Sequence, residues 1–151
     1  EIWDRVANKD GEVNSNYGNL VFSKDNGSQY EHVLEELKRN KDSRRAIIIY
    51  TCPEMHKKYN SNGKNDFVCT NTHHFFIRNN KLISISSQRS CDFIYGFFND
   101  FAWFSYVHLR LLNDLMVEYK NLMSGMLYYI ANSLHIYENH FQMVLDMRIP
   151  E

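Results

Sequence analysis

The sequence predicts an α+β fold on three observations. A short, continuous apolar run rich in β-branched residues occupies 44–51 (RRAIIIYT) and marks a buried strand. Two further strand-like segments, 67–78 and 81–89, meet at Asn79-Asn80, a pair whose side chains tolerate the positive φ of a tight turn. From about Asp100 to Tyr119 the apolar residues recur every three or four positions, the period of a long, mostly buried helix. Strands and helices mix without a regular βαβ alternation, which favours α+β over a doubly wound sheet.

The other elements follow in order. Tyr30, Val33, Leu34 and Leu37 hold helical spacing and predict a helix from about Gln29 to Asn40. Polar segments at 23–28 (SKDNGS) and 60–66 (NSNGKND) read as loops. MLYYIAN (126–132) reads as a strand, and roughly 137–147 as a last helix. No repeat or low-complexity linker interrupts the chain. Its 151 residues, 44% apolar and 15% aromatic, make one domain with a rich core.

Seventeen basic against 18 acidic side chains leave no broad basic field for nucleic acid or an anionic membrane. Any bound anion must therefore be held by a local cluster. The richest apolar stretch, 93–117, is broken by Asn99, Asp100, His108, Arg110, Asn113 and Asp114, so no membrane span is expected. Three cysteines are too few and too odd for a disulfide framework and point to a reducing, cytoplasmic compartment. The chain opens without Met or a signal-like segment and stops abruptly at RIPE; both ends read as cut from something longer.

Several side chains carry possible chemistry. Alone, Cys69 reads first as a small buried hydrophobe. As a nucleophile it would need a depressed pKa and a cationic neighbour, for which Arg89 at the end of the adjacent strand is the candidate. Arg44, Arg45, Arg89 and Ser90 could form an oxyanion clamp, although spacing alone favours a solvated strand entry and a hairpin cap. His73 and His74 are strand neighbours on opposite faces and cannot chelate one ion; His135 and His140 lack partners at zinc spacing, so no metal is expected. His135 and Tyr137, two apart at a strand end, share a face and could converge on one hydroxyl. Asp100, among aromatic residues, reads as a costly buried carboxylate that needs a partner. GxGxxG, P-loop and GxSxG signatures are absent.

Taken in order, IWD (2–4), NYG (16–18), DSRRAIII (42–49), a Cys opening a strand, QRSCD (88–92) and HIYENH (135–140) resemble the thymidylate synthase superfamily along nearly the whole chain. The resemblance implies a mixed sheet packed by helices, and a homodimer with shared sites. It implies that Cys69 adds to C6 of a pyrimidine nucleotide and that Arg89 and Ser90 hold the 5′-phosphate. Arg44 and Arg45 would reach the partner's phosphate site, and His135 and Tyr137 would bind the deoxyribose 3′-hydroxyl. Trp3 and Asp92 match folate-contacting positions, Tyr17 matches a motif tyrosine near the nucleophile, and Cys91 is left to packing. The family's N-terminal phosphate-loop Arg, its Glu ahead of IWD and its C-terminal closing segment lie outside these 151 residues. The expectation is therefore a single core, 1–151, that lacks both ends of the family domain.

The departures sharpen the resemblance. Thr70 follows Cys69 where the family has His, and counting from QRSCD puts Asp100 where a synthase has the Asn that reads uracil. A carboxylate accepts from the N4 amino group of cytosine, and a site fitted to one base edge leaves the other unpaired. GEVNSNYG, DFVCTNT and GFFNDFAW are similar to the dCMP hydroxymethylase branch of T-even-like bacteriophages. That branch implies transfer of a one-carbon unit from 5,10-methylenetetrahydrofolate to C5 of dCMP, with water completing 5-hydroxymethyl-dCMP in the host cytoplasm. The alternatives are a thymidylate synthase or dUMP hydroxymethylase that tolerates Asp100, and a non-catalytic nucleotide- or RNA-binding remnant.

Overall fold

The two-residue turn at Asn79-Asn80 organises the sheet. Both residues take positive φ (51° and 53°), the conformation that a right-twisted two-residue hairpin requires. The turn joins β2 (Thr70–Arg78) to β3 (Lys81–Gln88) in antiparallel register. A computed structural model describes residues 2–147 of the chain, so the RIPE ending at 148–151 lies outside the described residues. β1 (Ile47–Ile49) pairs antiparallel with β2, and β5 (Met123–Ala131) pairs parallel with β3, giving the order β1-β2-β3-β5. β4 (Cys91–Asp92) and β6 (Leu134–His135) form a separate short parallel pair.

Among the described residues the helices are α1 (Ile2–Val6), α2 (Tyr17–Phe22), α3 (Gln29–Arg39), α4 (Met55–Lys58), α5 (Gly96–Leu115) and α6 (Phe141–Asp146). α5 is the connection that makes the parallel β3–β5 pairing possible. With α3 it covers one face of the sheet, burying Val33, Leu37, Phe75, Leu82, Phe104, Val107, Leu111 and Leu115. β3 alternates along its length and β2 does so from His73 onward, after a register shift between Thr70 and Thr72, so Phe75, Ile77, Leu82, Ser84 and Gln88 face this core. The opposite face carries Ile49, Met126, Tyr128 and Ile130, each about half exposed or more.

Within the core, His73 is fully buried and neither ring nitrogen finds a partner. It lies against Phe75 at 4.2 Å and Phe104 at 5.1 Å, and burial drives its pKa down to about 3. His108 is satisfied instead, by Ser84 Oγ at 2.8 Å and Ser124 Oγ at 3.3 Å. Where β5 shifts register against β3, a Cβ on Gly125 would sit 2.5 Å from the Leu82 carbonyl oxygen, so only glycine fits there. At the sheet edge, the Gln29 side chain donates to Ile49 O (2.8 Å) and accepts from Ile49 N (2.8 Å).

The boundaries differ from expectation for local reasons. The strand expected over 44–51 is only Ile47–Ile49, because Ile47 N bonds back to Arg45 O and Ser43 Oγ takes the Arg45 amide, turning the chain there. The long helix starts at Gly96 instead of near Asp100: Asp92 accepts from the amides of Ile94 (3.2 Å) and Tyr95 (3.1 Å) and starts the turn early. It ends at Leu115, short of Tyr119, where the chain enters a turn. The last helical segment is a 3-10 turn, Glu138–His140, followed by α6. α1, α2 and α4 are too short for periodicity to announce them.

Candidate active site

Thr70 pairs with Gln88 at one end of the β2–β3 hairpin, and this places Cys69 beside Arg89. Arg89 N donates to Cys69 O at 2.9 Å. Its guanidinium stacks over Phe67 (4.9 Å), donates from Nη2 to Phe67 O and from Nε to Val68 O, and brings Nη2 to 3.8 Å from Cys69 Sγ. Ser90 follows in the turn to β4. The expected cationic neighbour is thus present, but its pull on the thiol is outweighed. Burial raises the Cys69 pKa, Arg89 opposes it, and the Asp100 and Asp66 carboxylates add to the rise.

Behind Cys69 runs a continuous buried polar chain. The Tyr129 hydroxyl donates to Gln88 Oε1, and Cys91 Sγ meets the same hydroxyl at 3.0 Å. Gln88 Nε2 donates to Asp100 Oδ2 at 2.6 Å and to Thr70 Oγ1 at 3.1 Å. Thr70 Oγ1 in turn donates to the Tyr17 hydroxyl at 2.8 Å. Asp100, on the second turn of α5, therefore meets Gln88. Burial still raises its pKa, with the Gln88 donor pulling the other way. Tyr17 and Tyr129 are both pushed up, by burial first and then by the nearby Asp100 charge for Tyr17 and the Cys91 hydrogen bond for Tyr129. Cys91 is accordingly a member of a hydrogen-bonded chain, not a packing residue alone.

Two clamps hold this end of the molecule. Asp66 accepts from the amides of Asn14 (2.8 Å) and Ser15 (2.6 Å), fixing the segment that leads to Tyr17 against the loop that leads to Cys69. The β4–β6 pair sets Asp92 opposite His135, with Phe93 N donating to His135 O at 2.8 Å. HIYENH is thereby brought to QRSCD, and the His135 and Tyr137 rings meet edge-on at 4.9 Å, as their two-residue spacing predicts. Trp3 stands exposed on α1.

A four-residue oxyanion clamp within one chain does not form. His74 Nε2 meets Arg44 O at 2.9 Å and Phe75 N donates to Ala46 O at 2.8 Å, so this segment lies against the middle of β2, five or more residues along the chain from Cys69. Arg45 instead pairs with Glu36 Oε1 at 3.0 Å, and both arginines are exposed. The described residues contain no group of three His, Cys, Asp or Glu side chains that could hold a metal. They contain no helix long and apolar enough to cross a membrane. Cys52, Cys69 and Cys91 are free thiols.

Gln88, Thr70 and Tyr129 carry no signal as reactive groups, and the sequence points to them only weakly. The one available clue is alternation: Leu82, Ser84, Ser86 and Gln88 share a face, which puts an amide where only paired polar groups are tolerated.

The thymidylate synthase family model matches residues 1–148. The deoxycytidylate 5-hydroxymethyltransferases of Enterobacteria phages T4 and T2 are each 44% identical over 149 residues, which is 95% of this chain and 59% of theirs. A thymidylate synthase of Francisella tularensis subsp. holarctica is 29% identical over 153 residues, 95% of this chain and 54% of its own length. The chain thus spans less than two thirds of these relatives. With a hairpin that sets Cys69 against Arg89 and a polar chain that ends on Asp100, and with a family match along almost its full length, the chain belongs to the thymidylate synthase family.

Proposed function

We propose that this chain is the core of a deoxycytidylate 5-hydroxymethyltransferase acting on dCMP. The observation that carries the reading is Asp100: one oxygen is fixed by Gln88, while Oδ1 takes no hydrogen bond from the described residues. An ionised carboxylate in that state accepts from the cytosine N4 amino group and finds no donor on uracil O4. The greater likeness to the phage hydroxymethyltransferases than to the synthase above supports the same choice.

In this reading the Cys69 thiolate adds to C6 of dCMP and leaves C5 nucleophilic, and Asp100 steadies a proton gained at N3. The phosphate of dCMP lies on Arg89 and Ser90. Arg89 Nη1, which donates to no described residue, is the free edge for it. His135 and Tyr137 take the 3′-hydroxyl. 5,10-Methylenetetrahydrofolate would supply the one-carbon unit to C5 when bound: C5 gives up its proton, tetrahydrofolate leaves, water provides the hydroxyl, and the Cys69 sulfur departs from C6. Exposed flat surfaces at Trp3, Tyr95 and Phe98 suit such a ring system, and Asp92 retains lone pairs beyond its two amide bonds.

We also infer a homodimer. The half-exposed apolar face of the sheet is the surface available for a second copy, and it supports a symmetric pairing. Because Arg44 and Arg45 lie far along β2 from their own Cys69, a phosphate role for them falls in the partner's site. The host cytoplasm, which supplies dCMP and reduced folate, is the compartment that fits free thiols.

The test incubates the full-length protein with methylenetetrahydrofolate and either dCMP or dUMP, following tritium release from C5 and dihydrofolate formation. Release from dCMP with tetrahydrofolate as the folate product is expected. A preference for dUMP, or accumulation of dihydrofolate, would overturn the assignment.

A further inference from the structure

Beside Arg89 opens a recess of about 470 Å³ whose walls include Thr51, Cys52, His56, Phe67 and Asn71, and no carboxylate lines it. Four polar side chains border this one space. Arg89 Nη1, both His56 ring nitrogens, the Asn71 side-chain amide and the Thr51 hydroxyl make no hydrogen bond among the described residues. Phe67 positions two of the four: the Arg89 guanidinium stacks over its ring at 4.9 Å, and the His56 imidazole meets it at 5.4 Å. An irregularity positions the third. β2 shifts register against β3 between Thr70 and Thr72. The parity that buries His73, Phe75 and Ile77 would carry Asn71 inward and Thr70 outward. The shift reverses this, so Thr70 is buried in the polar chain while Asn71 borders the recess. Thr51 follows Tyr50, whose amide donates to Asn71 O at 2.9 Å.

We propose that His56 and Asn71 are further phosphate-binding residues of the nucleotide site, and that a proton on His56 tightens its hold on a monophosphate. This rests on the reading of Arg89 as the residue that holds the 5′-phosphate. A phosphate has several acceptor oxygens; with one on the free edge of Arg89, others are left for the imidazole and the amide. Histidine ordinarily titrates between about pH 5 and 8, so it adds or removes a full charge there, whereas the guanidinium and the amide do not. The other charged and titratable groups around His56 are Glu54, Lys57 and Lys58 on its own segment, and Cys52 and Arg89 in the recess. Tyr59 meets Phe67 at 5.5 Å, and Asp66, next in sequence to Phe67, is occupied by the amides of Asn14 and Ser15.

The full-length protein and its His56→Gln variant are titrated calorimetrically with dCMP, dUMP and deoxycytidine at pH 6 and pH 8. A nucleotide phosphate itself takes up a proton near about pH 6, so parent and variant are compared at the same pH. His56→Gln should weaken dCMP and dUMP alike, about tenfold at pH 6 and about twofold or less at pH 8, and leave deoxycytidine unchanged. No loss, an equal loss at both pH values, or an equal loss for deoxycytidine overturns the role of His56. His56→Lys keeps its charge at pH 8 and should bind dCMP more tightly than the parent there; binding weaker than in His56→Gln would count against a charge effect. Asn71→Ala should cost dCMP about threefold at both pH values, and unchanged affinity would remove Asn71 from the site. Arg89→Gln judges the reading beneath. If dCMP keeps its advantage over deoxycytidine in that variant, the phosphate lies elsewhere and the reading fails. If the advantage is lost while His56→Gln is silent, Arg89 holds the phosphate without the recess and only the proposal falls.

Discussion

Helix α5 spans two regions built on opposite principles. Near its N-terminus, Asp100 accepts from Gln88, which in turn bonds Thr70 and Tyr129, and these hydrogen bonds are directional and costly to leave incomplete. Two turns and more further on, Val107, Leu111 and Leu115 meet Leu82 and Phe75 in a dry core. The same β3 strand serves both, with Leu82 at one end and Gln88 at the other. The contrast teaches that dry packing and a directional polar network are separately housed. The apolar end tolerates any well-fitting side chain, whereas the polar end works only with its proton positions intact.

The largest expected effect breaks the polar end alone. Cys69→Ser should lower turnover by about 10⁴-fold or more and abolish the covalent nucleotide adduct. Its melting curve should stay within about 0.5 kcal/mol of the parent. Retained turnover would remove Cys69 from its role. Next, Asp100→Asn should shift substrate preference toward dUMP by about a hundredfold, measured as the ratio of kcat/KM values. The same variant should melt higher at pH 7. Burial raises the folded pKa of Asp100, so the ionised group costs stability above that pKa and the cost disappears as pH falls through it. The advantage of Asp100→Asn should therefore shrink on acidification.

The third test strikes the apolar end. Leu111→Ala, at a fully buried position, should cost about 2–5 kcal/mol in chemical denaturation and leave the dCMP to dUMP ratio unchanged. A changed ratio would show that the two regions are coupled. The smallest effect concerns His73, the one polar ring left unpaired inside the dry region. Its folded pKa of about 3 lies below the unfolded value, so the unfolded chain binds the extra proton as pH falls below about 6.5. The parent should lose stability through that window by at most about 1.4 kcal/mol per pH unit from this group. His73→Leu should flatten that part of the curve, as urea melts at pH 7, 6 and 5 would reveal.

This division also explains what the sequence could announce. Periodicity located α3 and the β2–β3 hairpin, because their signals are local: buried residues at helical spacing, alternation, and Asn79-Asn80 at positive φ. The start of α5 is set locally too, but by Asp92 accepting from the Ile94 and Tyr95 amides, which a hydrophobic pattern does not carry. At the site, the neighbourhood of Cys69 and Arg89 followed from strand pairing, and the His135–Tyr137 contact from their spacing. The polar chain that reaches Asp100 did not, because Gln88, Thr70 and Tyr129 come from three strands and converge only once the sheet is assembled. Likewise the sign of the Cys69 shift depends on a balance of burial, one guanidinium and two carboxylates, which no motif encodes.

Gln29 bears on how the molecule meets its own kind. Its side-chain amide satisfies both the N–H and the C=O of Ile49, as one residue of an added strand would. The outer rim of β1 is short and, at that residue, already taken, so it offers a poor template for edge-to-edge growth into fibrils. Of the two surfaces on this side of the sheet, the rim is thus closed to growth, and the face is left as the one on which the proposed dimer would form.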